Sequence, residues 1–109
     1  MSILLIAAFF LAGCGSSATA TPAAVVEEVT LKVFAPSSMT DAAKELAANF
    51  EASNPNVKVV IEFGHSPTQR LQFTEGATGD VFITAAQKDM DDAITDTTVA
   101  AGTASIIAS

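Results

Sequence analysis

Two serines, Ser38 and Ser66, carry the clearest chemical potential in this chain. Each follows an apolar stretch and heads a run with helical spacing. A helix start presents N–H groups without intrahelical partners and the positive end of the dipole. A serine there usually caps its own helix and binds nothing else. A hydroxyl can nevertheless accept from the backbone while donating to a ligand, and two such starts on one sheet edge can converge on one small anion. Spacing alone leaves both readings open. Ser37 and His65 are the secondary donors, although a lone loop histidine is more often a solvated turn residue. Arg70 falls one turn into the second helical run, and Asp89, Asp91 and Asp92 diverge around a third. All four read as solvated faces. No His, Cys or carboxylate cluster has metal-ligand spacing and no nucleophile–base pair stands out, so an enzyme is not expected. No cofactor is expected either.

These residues need strands and helices to position them. Val29, Leu31 and Val33 alternate with Thr30 and Lys32, and Phe34 extends the apolar run, which predicts a strand broken at Pro36. Met39, Ala43, Leu46, Ala47 and Phe50 then recur at helical spacing. Ser38 with Asp41 three residues on is an acidic form of the capping box. Asn54-Pro55-Asn56 stops that helix. Val57, Val59, Ile61 and Phe63 predict a second strand, turned at Gly64-His65. Ser66-Pro67 reads as an N-cap with proline at the first helical position, where its missing N–H costs nothing. That helix runs through Leu71 to about Thr74 and ends at Gly76. Asp80 to Ile83 predicts a short strand buried on both faces, with Asp80 at its start a candidate cap or brace for the hinge. Gln87 to Ile94 predicts a third helix with Met90 and Ile94 on one face, and the tail from Thr103 to Ala108 is a candidate further strand. The β-α-β-α-β-α order implies an α/β fold with a parallel sheet flanked by helices, and ligands at the carboxyl ends of its strands.

Bulk properties narrow the classes. Twelve acidic against five basic residues give a net charge of −7. That argues against nucleic acid, whose binders need a cationic face to neutralise phosphate. It also argues against capture of an anion by bulk attraction, so any anion site must use local dipoles and neutral donors. The single cysteine, Cys14, allows no internal disulfide. It follows an apolar run of about ten residues, too short for a bilayer but the length of a signal-peptide core. Leu11-Ala12-Gly13-Cys14 resembles the lipobox of bacterial lipoproteins, which are cut before the cysteine and acylated on it. Met1-Ser2 lacks the basic residues with which such leaders usually open, as a translation start further upstream would leave it. The small, polar, Pro-broken stretch after Cys14 reads as a flexible tether. The expected layout is a signal peptide over residues 1–13, anchor and linker over 14–28, and a folded unit over 29–109.

The segment from Val33 to Ala42, VFAPSSMTDA, is similar to the first strand–loop–helix of the molybdate-binding proteins of ABC transporters. Phe63-Gly64-His65-Ser66 resembles the serine-bearing turn after that family's second strand. Gly79 to Asp91 resembles its apolar strand leading into a helix with a methionine. Together these cover most of Val29 to Ile94. The resemblance implies a type II periplasmic-binding-protein-like fold, with Ser38 and Ser66 at the two ligand-serine positions. It implies capture of a tetrahedral dianion, molybdate or tungstate, by N–H groups and hydroxyls. Pocket size would separate these from the smaller sulfate. It further implies an extracytoplasmic protein held to the membrane only through its lipid anchor, a monomer that delivers its ligand to an ABC permease. The chain lacks the tyrosines that ferric-iron binders of similar architecture use. Family members have two hinged lobes, and the tail resembles the strand that first crosses to the other. This chain is therefore expected to hold the first lobe with the second absent, and to bind weakly. The alternative is a surface lipoprotein fragment with a structural or interaction role and no ligand.

Overall fold

The computed structural model describes Gly15 and residues 24–107. The expectations for residues 1–14, including the leader and the anchor at Cys14, lie outside the described residues, as does most of the tether. Residues 24–28 have no regular structure, and β1 begins at Val29, where the sequence pattern tightens.

The chain runs β1 (Val29–Pro36), α1 (Thr40–Ser53), β2 (Val57–Gly64), α2 (Ser66–Thr74), β3 (Val81–Phe82) and α3 (Gln87–Thr95), with a 3-10 turn over Ser37–Met39. The strands form one parallel sheet in the order β2-β1-β3. β1 pairs with β2 from Val29↔Val57 to Pro36↔Gly64, and with β3 at Val33↔Val81 and Phe34↔Phe82. The first two strands therefore end flush, and their loops leave the sheet side by side.

Alternation along β1 sends Phe34 to one face and Val33 and Ala35 to the other. All three are buried. On the first face Phe73 of α2 packs edge-on against Phe34, with ring centroids 4.6 Å apart, and against Phe82 at 5.0 Å. On the other face α1 lies over Val59, Ile61 and Phe63 of β2. Helices thus cover both faces, as parallel sheets require. Gly79 permits the close approach before β3: a Cβ there would lie 2.6 Å from a Phe34 ring carbon.

Several local expectations need correction. α1 starts at Thr40, and Ser38 is not its cap: the 3-10 turn intervenes, Met39 occupies the cap position, and no side chain caps it. Instead the Thr40 hydroxyl donates to the Ser37 carbonyl at 2.7 Å, which satisfies the turn locally. In α2 the cap is His65, so Ser66 is the first helical residue and Pro67 the second. β3 is only two residues long, and Val81 is 40% exposed because no strand among the described residues covers that edge. Its backbone bonds reach further, from Asp80 N to Lys32 O and from Ile83 N to Phe34 O, both 2.8 Å. Asp80 also accepts from Lys32 N through Oδ2 at 2.8 Å, so it braces β1 against β3. Residues 103–107 are exposed and form no strand. α3 reaches Thr95, one residue past the expected end.

Candidate functional site

The flush ends of β1 and β2 decide where the site forms. One residue past the pair Pro36↔Gly64 stand Ser37 and His65, and two past it stand Ser38 and Ser66. The third wall comes from the loop after β3. These segments enclose a solvent-open cleft of about 390 Å³. Pro36, Ser37 and Ser38 line it from the end of β1 and the 3-10 turn, Gly64 to Pro67 from the end of β2 and the start of α2, and Ala85, Ala86 and Asp89 from the loop after β3 and the first turn of α3. All four predicted donors, Ser37, Ser38, His65 and Ser66, are brought together at the carboxyl edge of the sheet. That is the edge where parallel α/β sheets bind ligands.

The two principal hydroxyls sit in different surroundings. Ser66 is buried, and its Oγ accepts from Ala85 N at a long 3.5 Å, linking the second wall to the third. Its own proton remains available for donation. Ser37 and Ser38 are exposed, and among the described residues neither hydroxyl makes a hydrogen bond. At the head of α2 the first intrahelical acceptor is His65 O, taken by Gln69 N at 3.0 Å. Ser66 N and Thr68 N precede it and have no intrahelical acceptor, while Pro67 has no N–H to offer. The segments after β1 and β2 therefore bring hydroxyls and helix-start N–H groups to the cleft.

Gln69 organises these loops from beneath, and sequence reasoning missed it. It is 2% exposed. Its Nε2 donates to Glu62 O at 2.9 Å and to Ala35 O at 3.3 Å, holding the ends of β2 and β1 to α2. Gly64 leaves room for it, since a Cβ there would lie 3.1 Å from the Gln69 side chain. The available signal was position: Ser66, Gln69 and Phe73 follow i, i+3, i+7 spacing, which places all three on one helical face. Leu71, the apolar residue used to predict this helix, is instead 57% exposed.

The charged candidates divide. Arg70 pairs with Asp96 at the end of α3 and does not line the cleft. Lys88 pairs with Asp92 at 2.6 Å within α3, which raises the lysine pKa and lowers the carboxyl's through their mutual hydrogen bond. Asp91 is exposed, as a solvated face requires. Asp89 departs from that reading: it is half-buried and forms part of the cleft wall. Among the described residues no group of three or more His, Cys, Asp or Glu is arranged to hold a metal ion.

A two-sided parallel sheet with a donor-lined cleft at its carboxyl edge defines a ligand-binding α/β unit. Residues 31–109 match the family of bacterial extracellular solute-binding proteins, and the chain belongs to that family. It is 37% identical over 83 residues to the molybdate-binding protein ModA of Haemophilus influenzae, a match covering 76% of this chain and 30% of that protein. It is 36% identical over 96 residues to the molybdate-binding protein ModA of Mycobacterium tuberculosis, covering 84% and 37%. A solved substrate-binding domain assigned to a molybdenum ABC transporter of Clostridium difficile superposes with a TM-score of 0.61 at 29% identity. That superposition covers 63% of this chain and 30% of the other. The chain thus spans about a third of the length of these relatives. Three parallel strands flanked by helices, matched over such a share, correspond to one lobe of a solute-binding protein.

Proposed function

We propose that the cleft captures a tetrahedral oxyanion, molybdate or tungstate, outside the cytoplasm for delivery to an ABC permease. One observation carries the reading: Ser38, in the 3-10 turn just past β1, and Ser66, the first residue of α2 just past β2, line a single cleft. The names of the relatives support the choice of anion. The donor set supports it too, since hydroxyls and helix-start N–H groups can hold an anion without a countercharge. Ser38 and Ser66 are the principal donors, with Ser37 and His65 at the periphery. Fixed donors select by size, so sulfate fits less well than molybdate, and tungstate fits as well.

In the same reading residues 1–13 are a signal peptide and Cys14 the lipid-attachment site. Residues 14–28 hold anchor and tether, and the lobe runs from 29 to 109. The lipobox-like Leu11-Ala12-Gly13-Cys14 supports the anchor. The protein is then an extracytoplasmic monomer, lipid-anchored to the cell membrane on its periplasmic side or at the cell surface. Calorimetric titration with molybdate, tungstate and sulfate tests the ligand assignment. Molybdate and tungstate should bind alike and sulfate more weakly. Absence of saturable heat with all three, or equal binding of sulfate, overturns it.

A further inference from the structure

The cleft has one feature that anion capture does not call for, an acidic residue in its lining. Asp89 is the third residue of α3, half-buried, and lines the cleft alongside the serine loops. An acid in the first turn of a helix has an ordinary role, to complement the dipole. Yet no side chain caps α3, and among the described residues the Asp89 carboxylate has no hydrogen-bond or ion-pair partner. The nearby cations form their ion pairs with other carboxylates, although Lys88 is close enough to feel the charge of Asp89. Lys88 on the same helix pairs with Asp92, and Arg70 on α2 pairs with Asp96. The loop after β1 brings no charged side chain to the cleft, and the loop after β2 brings only His65. An anion held by Ser38 and Ser66 therefore meets Asp89 with no fixed countercharge between them.

We propose that Asp89 is a specificity-determining residue that tempers the cleft's preference for dianions over monoanions. This rests on the anion reading above. Its carboxylate repels a bound dianion twice as strongly as a monoanion of the same shape, so it narrows the preference for dianions that the donor set creates. Neutralising it should release that restraint in proportion to ligand charge. For charges about 6 Å apart in a solvent-like dielectric, removal of the carboxylate tightens a monoanion about threefold and a dianion about tenfold. A purely structural role would move both ligands together.

The test is calorimetry on the full chain with molybdate, a dianion, and perrhenate, a tetrahedral monoanion of similar size, at mildly alkaline pH. Asp89→Asn and Asp89→Ser are compared with the unaltered protein, after circular dichroism shows that the fold is kept. Asp91→Asn, exposed on the same helix and outside the cleft, controls for net charge. Both Asp89 variants should tighten molybdate more than perrhenate, raising the molybdate-to-perrhenate affinity ratio about threefold, while Asp91→Asn leaves the ratio unchanged. If the unaltered chain binds molybdate but the Asp89 variants leave the ratio unchanged, or Asp91→Asn raises it equally, the role of Asp89 is overturned and the anion site stands. If neither the unaltered chain nor any variant binds either anion, the anion site itself fails, and this inference with it.

Discussion

Ser38 and Ser66 serve one cleft but are held differently, and the difference is measurable. Ser38 is exposed without a hydrogen-bond partner among the described residues, so its removal has little to disturb in the fold. Ser38→Ala should leave stability within about 0.5 kcal/mol and weaken the anion about tenfold, the typical cost of one hydrogen bond to a charged group. Ser66 is buried, with its hydroxyl on Ala85 N. Ser66→Ala should weaken the anion by a similar factor and also lower stability by about 1 kcal/mol. Chemical denaturation and calorimetry on the two variants separate these effects. Away from the cleft, Glu51 accepts the outward N–H of Val59 through Oε1 at 2.6 Å, closing part of the exposed edge of β2. That hydrogen bond, aided by nearby Lys58, holds its carboxyl below the usual carboxylate range. A depressed carboxyl stabilises the fold at pH values above its unfolded pKa, about 4.3, and that contribution fades as pH falls through the lower folded value. Glu51→Gln should therefore flatten the acid side of the stability–pH profile measured by thermal melting.

At the scale of elements, packing beside the β1 strand depends on a single missing side chain. Gly79 lies against the Phe34 ring, and that ring is the largest fully buried side chain described. Gly79→Ala should force Phe34 off Phe73 and Phe82 and destabilise the lobe by about 1–3 kcal/mol, read from the denaturant midpoint. The strands and helices were largely legible beforehand, because the period-2 runs at Val29 and Val57 and the period-3.6 run from Met39 are long enough to declare themselves. The start of α1 was not. Ser38 and Asp41 have capping-box spacing, but Thr40 bonds back to Ser37 and tightens the first turn into a 3-10 form. The burial of β3 was misread because its apolar letters suit a central strand, whereas it lies at a sheet edge. Gln69 was missed for a related reason: its position on the Ser66–Phe73 face was a signal, but a buried glutamine has no apolar signature, and its value depends on carbonyls at Ala35 and Glu62, which only the sheet register brings within reach.

Across the whole molecule, the proposed anion site makes the acidic balance and the neutral donors two parts of one design. With a net charge of −7, long-range steering works against an incoming anion, so affinity has to come from donors at contact distance. The fold provides them by ending β1 and β2 in register and starting a helical segment from each. The serines were legible as candidates from the sequence. Their convergence was not, since it depends on that register and on the third loop, which also introduces Asp89. Backbone amide NMR of the isotopically labelled chain, titrated with molybdate, tests the convergence most directly. Saturable shifts should concentrate at Ser38, Met39, Ser66 and Thr68, with one common dissociation constant. Shifts confined to one loop, or a titration that leaves all four amides unmoved, would contradict a shared anion site.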